Sequence, residues 1–251
     1  SMRSSVRWAS SALMVAVVGL CATEVEAQWG SIKGTVAADG NLVPLDPLIT
    51  KGDTAAKDSE ICAAEMIPNE SKIIDRDSRG LANVVIWVAT KPAKIHPNLE
   101  KSAKGAVDVH QKGCRFIPHI LSVRTDQIVN VFCNDGTAHN LHTWGRANRP
   151  LGILVPVNGG KFEVKYLKEK EKWPMKVTCD IHPRMEAYWV VLDHPYVAIT
   201  NEKGDFEIAD LPVGDHEIMV WHEKIGLVAR SKVVIVKEGV NEIPPITATF
   251  Q

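Results

Sequence analysis

The 251-residue sequence predicts an all-β protein. Short segments alternate apolar and polar residues, as in Met175-Lys176-Val177-Thr178-Cys179 and Lys161-Phe162-Glu163-Val164-Lys165-Tyr166-Leu167, a period of two that turns one set of side chains into a core. Turn formers such as Asp39-Gly40 and Asn134-Asp135-Gly136 end or begin these segments. No stretch carries the 3.6-residue apolar period of a long amphipathic helix.

In chain order, residues 1–27 read as a secretory signal peptide. Arg3 and Arg7 precede the apolar run Ala12–Ala22, and Val25-Glu26-Ala27 gives a small-residue cleavage pattern. Eleven apolar residues are too few to span a bilayer, so no transmembrane segment is expected, and Cys21 lacks the four-residue pattern of a lipid-anchored protein. The segment holds two basic and two acidic residues, which leaves 27 Lys and Arg against 28 Asp and Glu and a net charge of −1. That balance implies no nucleic-acid partner and no anionic membrane surface. Export implies a periplasmic or secreted protein in an oxidising compartment.

Gly30–Gly40 reads as a strand ending in a turn, and Gly80–Val88 as a second, strongly apolar strand. Between them, Asn41 to Arg79 is rich in turn formers and charge and reads as loop. The pattern resumes only after residue 193, with Ala198–Ile208 and Leu211-Pro212-Val213-Gly214 leading into Glu217–His222. This succession resembles the carboxypeptidase-regulatory or transthyretin-like sandwich, in which such elements follow one another without the roughly 100 residues that intervene here. The economical organisation is an insertion: residues 28–104 together with 194–251 form one small β-sandwich, and residues 105–193 form a second domain placed in one of its loops. Lys91–Glu100 is the proline-marked linker into the insert.

Inside the insert, Ala106–His110, Arg115–Val123, Gln127–Phe132, Lys161–Leu167, Lys172–Cys179 and Glu186–Leu192 read as strands. The chemistry sits at one end of them. Cys179-Asp180-Ile181-His182-Pro183-Arg184-Met185 follows one strand, and Ala138-His139-Asn140-Leu141-His142 follows the Asn134-Asp135-Gly136 turn. One thiolate, two imidazoles and one thioether are the ligand set of a type 1 copper centre, a trigonal His₂Cys plane with a weak axial Met. Thiolate and thioether suit Cu(I) and imidazole accommodates Cu(II), so a rigid site of this kind passes one electron with little rearrangement. The alternatives are a zinc site or a metal-free descendant, and for each residue singly a packing role. His142 falls on the opposite strand face from His139.

At these residues the sequence resembles the cupredoxins, and among them the amicyanins. Cys-x2-His-x2-Met with Pro after the His is similar to the short amicyanin ligand loop, and His139-Asn140-Leu141-His142 to the upstream His-Asn-Val-His segment. The resemblance covers about residues 105–193 and implies a Greek-key β-sandwich with His139, Cys179, His182 and Met185 as ligands to one copper. It also implies redox partners, a quinoprotein dehydrogenase and a c-type cytochrome. Arg184 departs from the apolar residue usual between Pro and Met.

With Cys179 given to copper, Cys62, Cys114 and Cys133 remain in the exported chain; Cys62 and Cys114, both in turn-like stretches, are the expected disulfide, with Cys133 free. His119 is expected to be structural. His222-Glu223 is expected to be a hydrogen-bonded pair at a strand end rather than a second metal site, and Lys168–Lys172 a solvated hairpin tip. His182 is expected to turn its second nitrogen to solvent, as the port to a partner, with Arg184 as a charge beside it. Three functions fit: an exported electron carrier, a copper capture or delivery protein, and a structural or adhesive β-protein. No enzymatic constellation is recognisable, so an enzyme is not expected.

Overall fold

The computed structural model describes residues 28–251, with the side chains of residues 230–233 and 235 left aside; the expected signal peptide and Cys21 lie outside the described residues. In chain order the strands are β1 (Trp29–Gly40), β2 (Val85–Val88), β3 (Ala106–Gln111), β4 (Phe116–Ile117), β5 (Ile120–Arg124), β6 (Ile128–Cys133), β7 (His139–Thr143), β8 (Leu151–Val155), β9 (Gly160–Val164), β10 (Met175–Thr178), β11 (Glu186–Leu192), β12 (Val197–Ile199), β13 (Asp205–Pro212), β14 (Gly214–His222), β15 (Gly226–Val236), β16 (Gly239–Glu242) and β17 (Ile246–Phe250). Helix is confined to a single turn, α1 (Ser59–Cys62), and a 3₁₀ turn at Pro97–Leu99, among the described residues. The protein is all-β.

The strands form four sheets. An outer sheet holds β13, β1, β16 and β17; it packs on the sheet β12-β2-β14-β15 across a core of Ile32, Val36, Ile86, Leu211, Ile218 and Val220 among others. At the other side, β5-β11-β10-β7-β8 packs on β4-β3-β6-β9 across a core built on Val109, Val131, Leu141, Val177 and Trp189. No strand of 105–193 pairs with a strand outside it among the described residues.

The two middle sheets then meet. Val85 and Trp87 of β2 face Ile120, Val190 and Leu192, with Trp173, Tyr188, Met219 and Trp221 packed around them. The alternation explains this: Ile86 and Val88 fill one core while Val85 and Trp87 fill the interface, and on β11 Trp189 and Val191 face inward while Val190 and Leu192 face out. Strands apolar on both faces need cover on both. The result is a stack of four β-layers with three apolar seams.

Several sequence expectations need correction. Arg115–Val123 is two strands in different sheets, because Pro118 supplies no N–H to continue a ladder and the chain crosses between layers there. Glu223 pairs with His119, across the seam between the middle sheets, and not with His222, whose Nδ1 accepts from Lys224 N–H at 3.4 Å. Burial pushes His119 down, but the Glu223 carboxylate outweighs it and holds the imidazole above its usual value. His119 is therefore a tie between layers.

The Lys168–Lys172 segment is not all solvated: Glu171 is 6% exposed. Its carboxylate accepts from the N–H groups of Arg146, Ala147 and Asn148 and from Asn148 Nδ2, all at 2.9–3.1 Å. The turn around Gly145 permits this convergence, since a Cβ there would stand 2.3 Å from Asn148 O. Burial pushes the Glu171 carboxyl up, and the donors of Asn148, Ala147 and Arg146 outweigh it, holding it below the usual carboxylate range. A depressed folded-state value stabilises above the ordinary glutamate pKa and fades as pH falls through the depressed value. Glu171→Ala should cost about 1–3 kcal/mol at pH 7 by leaving buried donors unpaired. The gap in denaturant midpoint between variant and wild type should narrow as the pH falls below the ordinary glutamate range.

Candidate metal centre

The site lies at one end of the 105–193 sandwich, where β7 begins and the β10–β11 loop turns. Pro183 keeps that loop from continuing either ladder. Met185 N–H donates to His182 O at 2.9 Å, and Cys179 N–H donates to Met185 O at 3.1 Å, so the loop closes on itself as a tight hydrogen-bonded turn. A second clamp joins it to β7: Asp180 N–H donates to Asn140 Oδ1 at 2.7 Å and Asn140 Nδ2 donates to Asp180 Oδ2 at 2.6 Å. The upstream histidine and the ligand loop are thus held in fixed register.

His139 Nδ1 and His182 Nδ1 stand 3.0 Å apart, and Cys179 Sγ is 3.9 Å from the first and 3.8 Å from the second. All three are buried, His139 at 0%, Cys179 at 1% and His182 at 6% exposure; Met185, at 2%, packs in the same apolar core as Cys179. With metal–nitrogen bonds of about 2.0 Å and a metal–sulfur bond of about 2.3 Å, a trigonal plane asks for nitrogens about 3.5 Å apart and each about 3.7 Å from sulfur. The observed triangle is close to that, and its soft sulfur with two imidazoles suits copper.

Each imidazole is oriented by a carboxylate on its far side. His139 Nε2–H donates to Asp135 Oδ2 at 2.8 Å, and Asp135 is itself anchored by the N–H groups of Gly113 and Cys114 at 2.7 and 2.9 Å. His182 Nε2–H donates to Asp58 Oδ2 at 2.9 Å, and Asp58 Oδ2 also accepts from Thr137 Oγ1 at 2.7 Å. With both Nε2 atoms donating, both Nδ1 atoms are turned to the centre; this is the carboxylate–histidine arrangement that fixes metal-ligand tautomers. Burial pushes His139 down, but Asp135 and Cys179 outweigh it and raise the imidazole to about 9. The same pairing, with backbone donors, overcomes burial at Cys179 and lowers its pKa toward the thiolate a metal binds. His182 is lowered, chiefly by burial, which favours the neutral ligand form.

Asp58 is where the structure departs most from expectation. The second nitrogen of His182 does not reach solvent: a strap from the 41–79 segment lies over it. The strap is fixed at four points, by Asp58 to His182 and to Thr137, by the disulfide Cys62–Cys114, and by Arg184, which donates to Leu48 O. Cys133 is a free, buried thiol whose Sγ faces the carbonyls of Asp135 and Thr137. Arg184 is exposed but spent on the strap. His142 points away from the centre, to Asp180 at 2.9 Å. Sequence reading missed Asp58, Asp135 and Asp180; Asp180 adjoins a ligand, but no local pattern marks Asp58.

No protein-family model matches the chain, and no curated protein does. Among solved structures it is similar to a proline-to-glycine variant of amicyanin in its reduced Cu(I) form at pH 4 (20% identity, 36% of this chain and 86% of that one, TM-score 0.31). It is similar also to the Cu(I) form of a methionine-to-alanine variant of amicyanin (18% identity, 43% and 98%, TM-score 0.31) and to a copper-containing nitrite reductase from Thermus scotoductus SA-01 (18% identity, 34% and 22%, TM-score 0.29).

Proposed function

We propose that this chain is an exported single-electron carrier with one type 1 copper, which His139, Cys179, His182 and Met185 would hold. The observation that carries the reading is the buried triangle of two Nδ1 atoms and one sulfur, each imidazole locked by its own carboxylate. Copper bound there would supply exchange of one electron between Cu(I) and Cu(II). The chain's own residues do the rest. Asp135 and Asp58 hold the imidazoles in one tautomer and one orientation, so the donor set stays put when the charge changes. The closed loop from Cys179 to Met185 resists adding a fourth strong ligand. The apolar core around Cys179 and Met185 excludes water.

Capture and delivery of copper would call for an exposed, exchangeable site, and ligands no more than 6% exposed disfavour it. A purely structural role leaves two carboxylate-locked histidines around a thiolate unexplained. Residues 105–193 are the cupredoxin-like insert, and 28–104 with 194–251 the sandwich that carries it, supplying the strap as well as support. The partners are other one-electron proteins of the same exported compartment, and the chain catalyses no bond change itself. One equivalent of Cu(II) added to residues 28–251 should give an intense visible thiolate-to-copper band. A colourless product with full metal uptake would overturn the reading.

A further inference from the structure

If the site passes electrons, they need a way out, and none of its ligands itself stands at the surface. His139, Cys179, His182 and Met185 are all buried, and the far nitrogens of both histidines end on Asp135 and Asp58. Asp58 belongs to the strap, and its partly exposed carboxylate, not an aromatic ring, stands between His182 and solvent.

Two routes leave Cys179 along its own backbone, and they meet. The preceding residue, Thr178, accepts a hydrogen bond from Trp144 Nε1–H at 2.9 Å. The following residue, Asp180, binds His142 Nδ1 through both carboxylate oxygens at 2.9 and 3.0 Å. His142 and Trp144 stack face to face, ring centroids 4.0 Å apart and planes within 16°. The strand explains the placement. His139, Leu141 and Thr143 are buried on the inner face of β7, so His142 and Trp144 fall together on the outer one. Trp144 is 50% exposed, the one aromatic among the large apolar side chains exposed in the described residues. An exposed tryptophan whose N–H is spent on the neighbour of the thiolate ligand, and whose face is fixed on a second ring tied to its other neighbour, is more ordered than a surface aromatic needs to be.

We infer that Trp144, stacked on His142, is the electron's outlet from Cys179 to the surface, in place of His182. The inference rests on the copper reading above. In the test reaction the Cu(I) protein gives one electron to hexacyanoferrate(III), which becomes hexacyanoferrate(II) as the copper becomes Cu(II); no bond breaks and no proton moves.

Three variants of the copper-loaded chain separate the possibilities, each scored for its visible band and reduction potential before its stopped-flow rate. Trp144→Leu keeps an apolar side chain at an exposed strand end and removes the ring. It should leave band and potential unchanged and slow oxidation about tenfold or more, a decade being about 1.4 kcal/mol of barrier. Thr178→Val removes only the acceptor below the ring and should slow it by a smaller factor at constant potential. Lys57→Glu reverses a charge on the exposed strap above His182 and should change the rate with this anion less than twofold. Full-rate oxidation in both Trp144→Leu and Thr178→Val overturns the outlet, and a rate that follows Lys57 instead returns the port to His182. Absence of a visible band in the unaltered chain would refute the copper reading itself and is told apart from every rate outcome.

Discussion

Cys179→Ser should abolish the visible band expected of the copper-loaded protein and leave the four-layer stack folded. The band belongs to the thiolate–copper bond, and a serine hydroxyl at neutral pH is neither deprotonated nor soft enough to replace it. The fold survives because the cost is local. Cys179 is 1% exposed at the edge of an apolar core, but its sulfur also contacts the two imidazoles, and a hydroxyl of nearly the same size can donate to the His182 Nδ1 lone pair in the metal-free state. Circular dichroism should be superimposable on that of the wild type, and the unfolding free energy of the metal-free variant should change by no more than about 1 kcal/mol. Retention of full colour would end the assignment of Cys179.

Replacing both Cys62 and Cys114 by Ala costs about 4 kcal/mol in the chain-entropy estimate for a disulfide closing 52 residues. The larger interest lies in what the bond ties down. Cys62 ends the helical turn that follows Asp58, and the N–H of Cys114 anchors Asp135, so one covalent link steadies the carboxylates behind both histidines. The double variant should still take up copper, since all four proposed ligands lie within 105–193, but a chelator should strip the metal at least about tenfold faster, following the 10- to 100-fold cost typical of lost orienting partners. Urea unfolding followed by far-ultraviolet circular dichroism measures the first effect, and decay of the visible band under chelator the second. An unchanged urea midpoint together with unchanged stripping would mean that the strap holds without its disulfide.

Several features were legible because they are local. The spacing of Cys179, His182 and Met185 is a property of seven residues, and a strand with a proline-interrupted loop leaves few ways to arrange them. The period of two placed β10 within three residues of its observed start and one of its end, and the aromatic and β-branched run Glu186–Leu192 marked β11 at its observed bounds. Cys62 and Cys114 were picked from their turn-like surroundings, and they are bonded in the structure. The splitting of Arg115–Val123 across two sheets was also written locally, in Pro118, yet the apolar run around it obscured the break.

By itself, then, the sequence determined the all-β class, the strand pattern and the residues that could meet a metal, because periodicity, turn chemistry and ligand type act over fewer than about ten residues. Only the tertiary structure decided what stands behind them. Asp58 reaches His182 across 124 positions and Glu223 reaches His119 across 104, and nothing in an isolated aspartate or glutamate records a partner so distant. The same holds for the layers: an apolar run such as Val84–Val88 shows that both strand faces are to be covered but not by what, and the choice of β11 as cover for β2 follows from packing whole sheets together. The strap capped the expected electron port with a carboxylate because its hydrogen bonds and its disulfide act jointly, and such cooperation between distant segments exists only once the chain has folded.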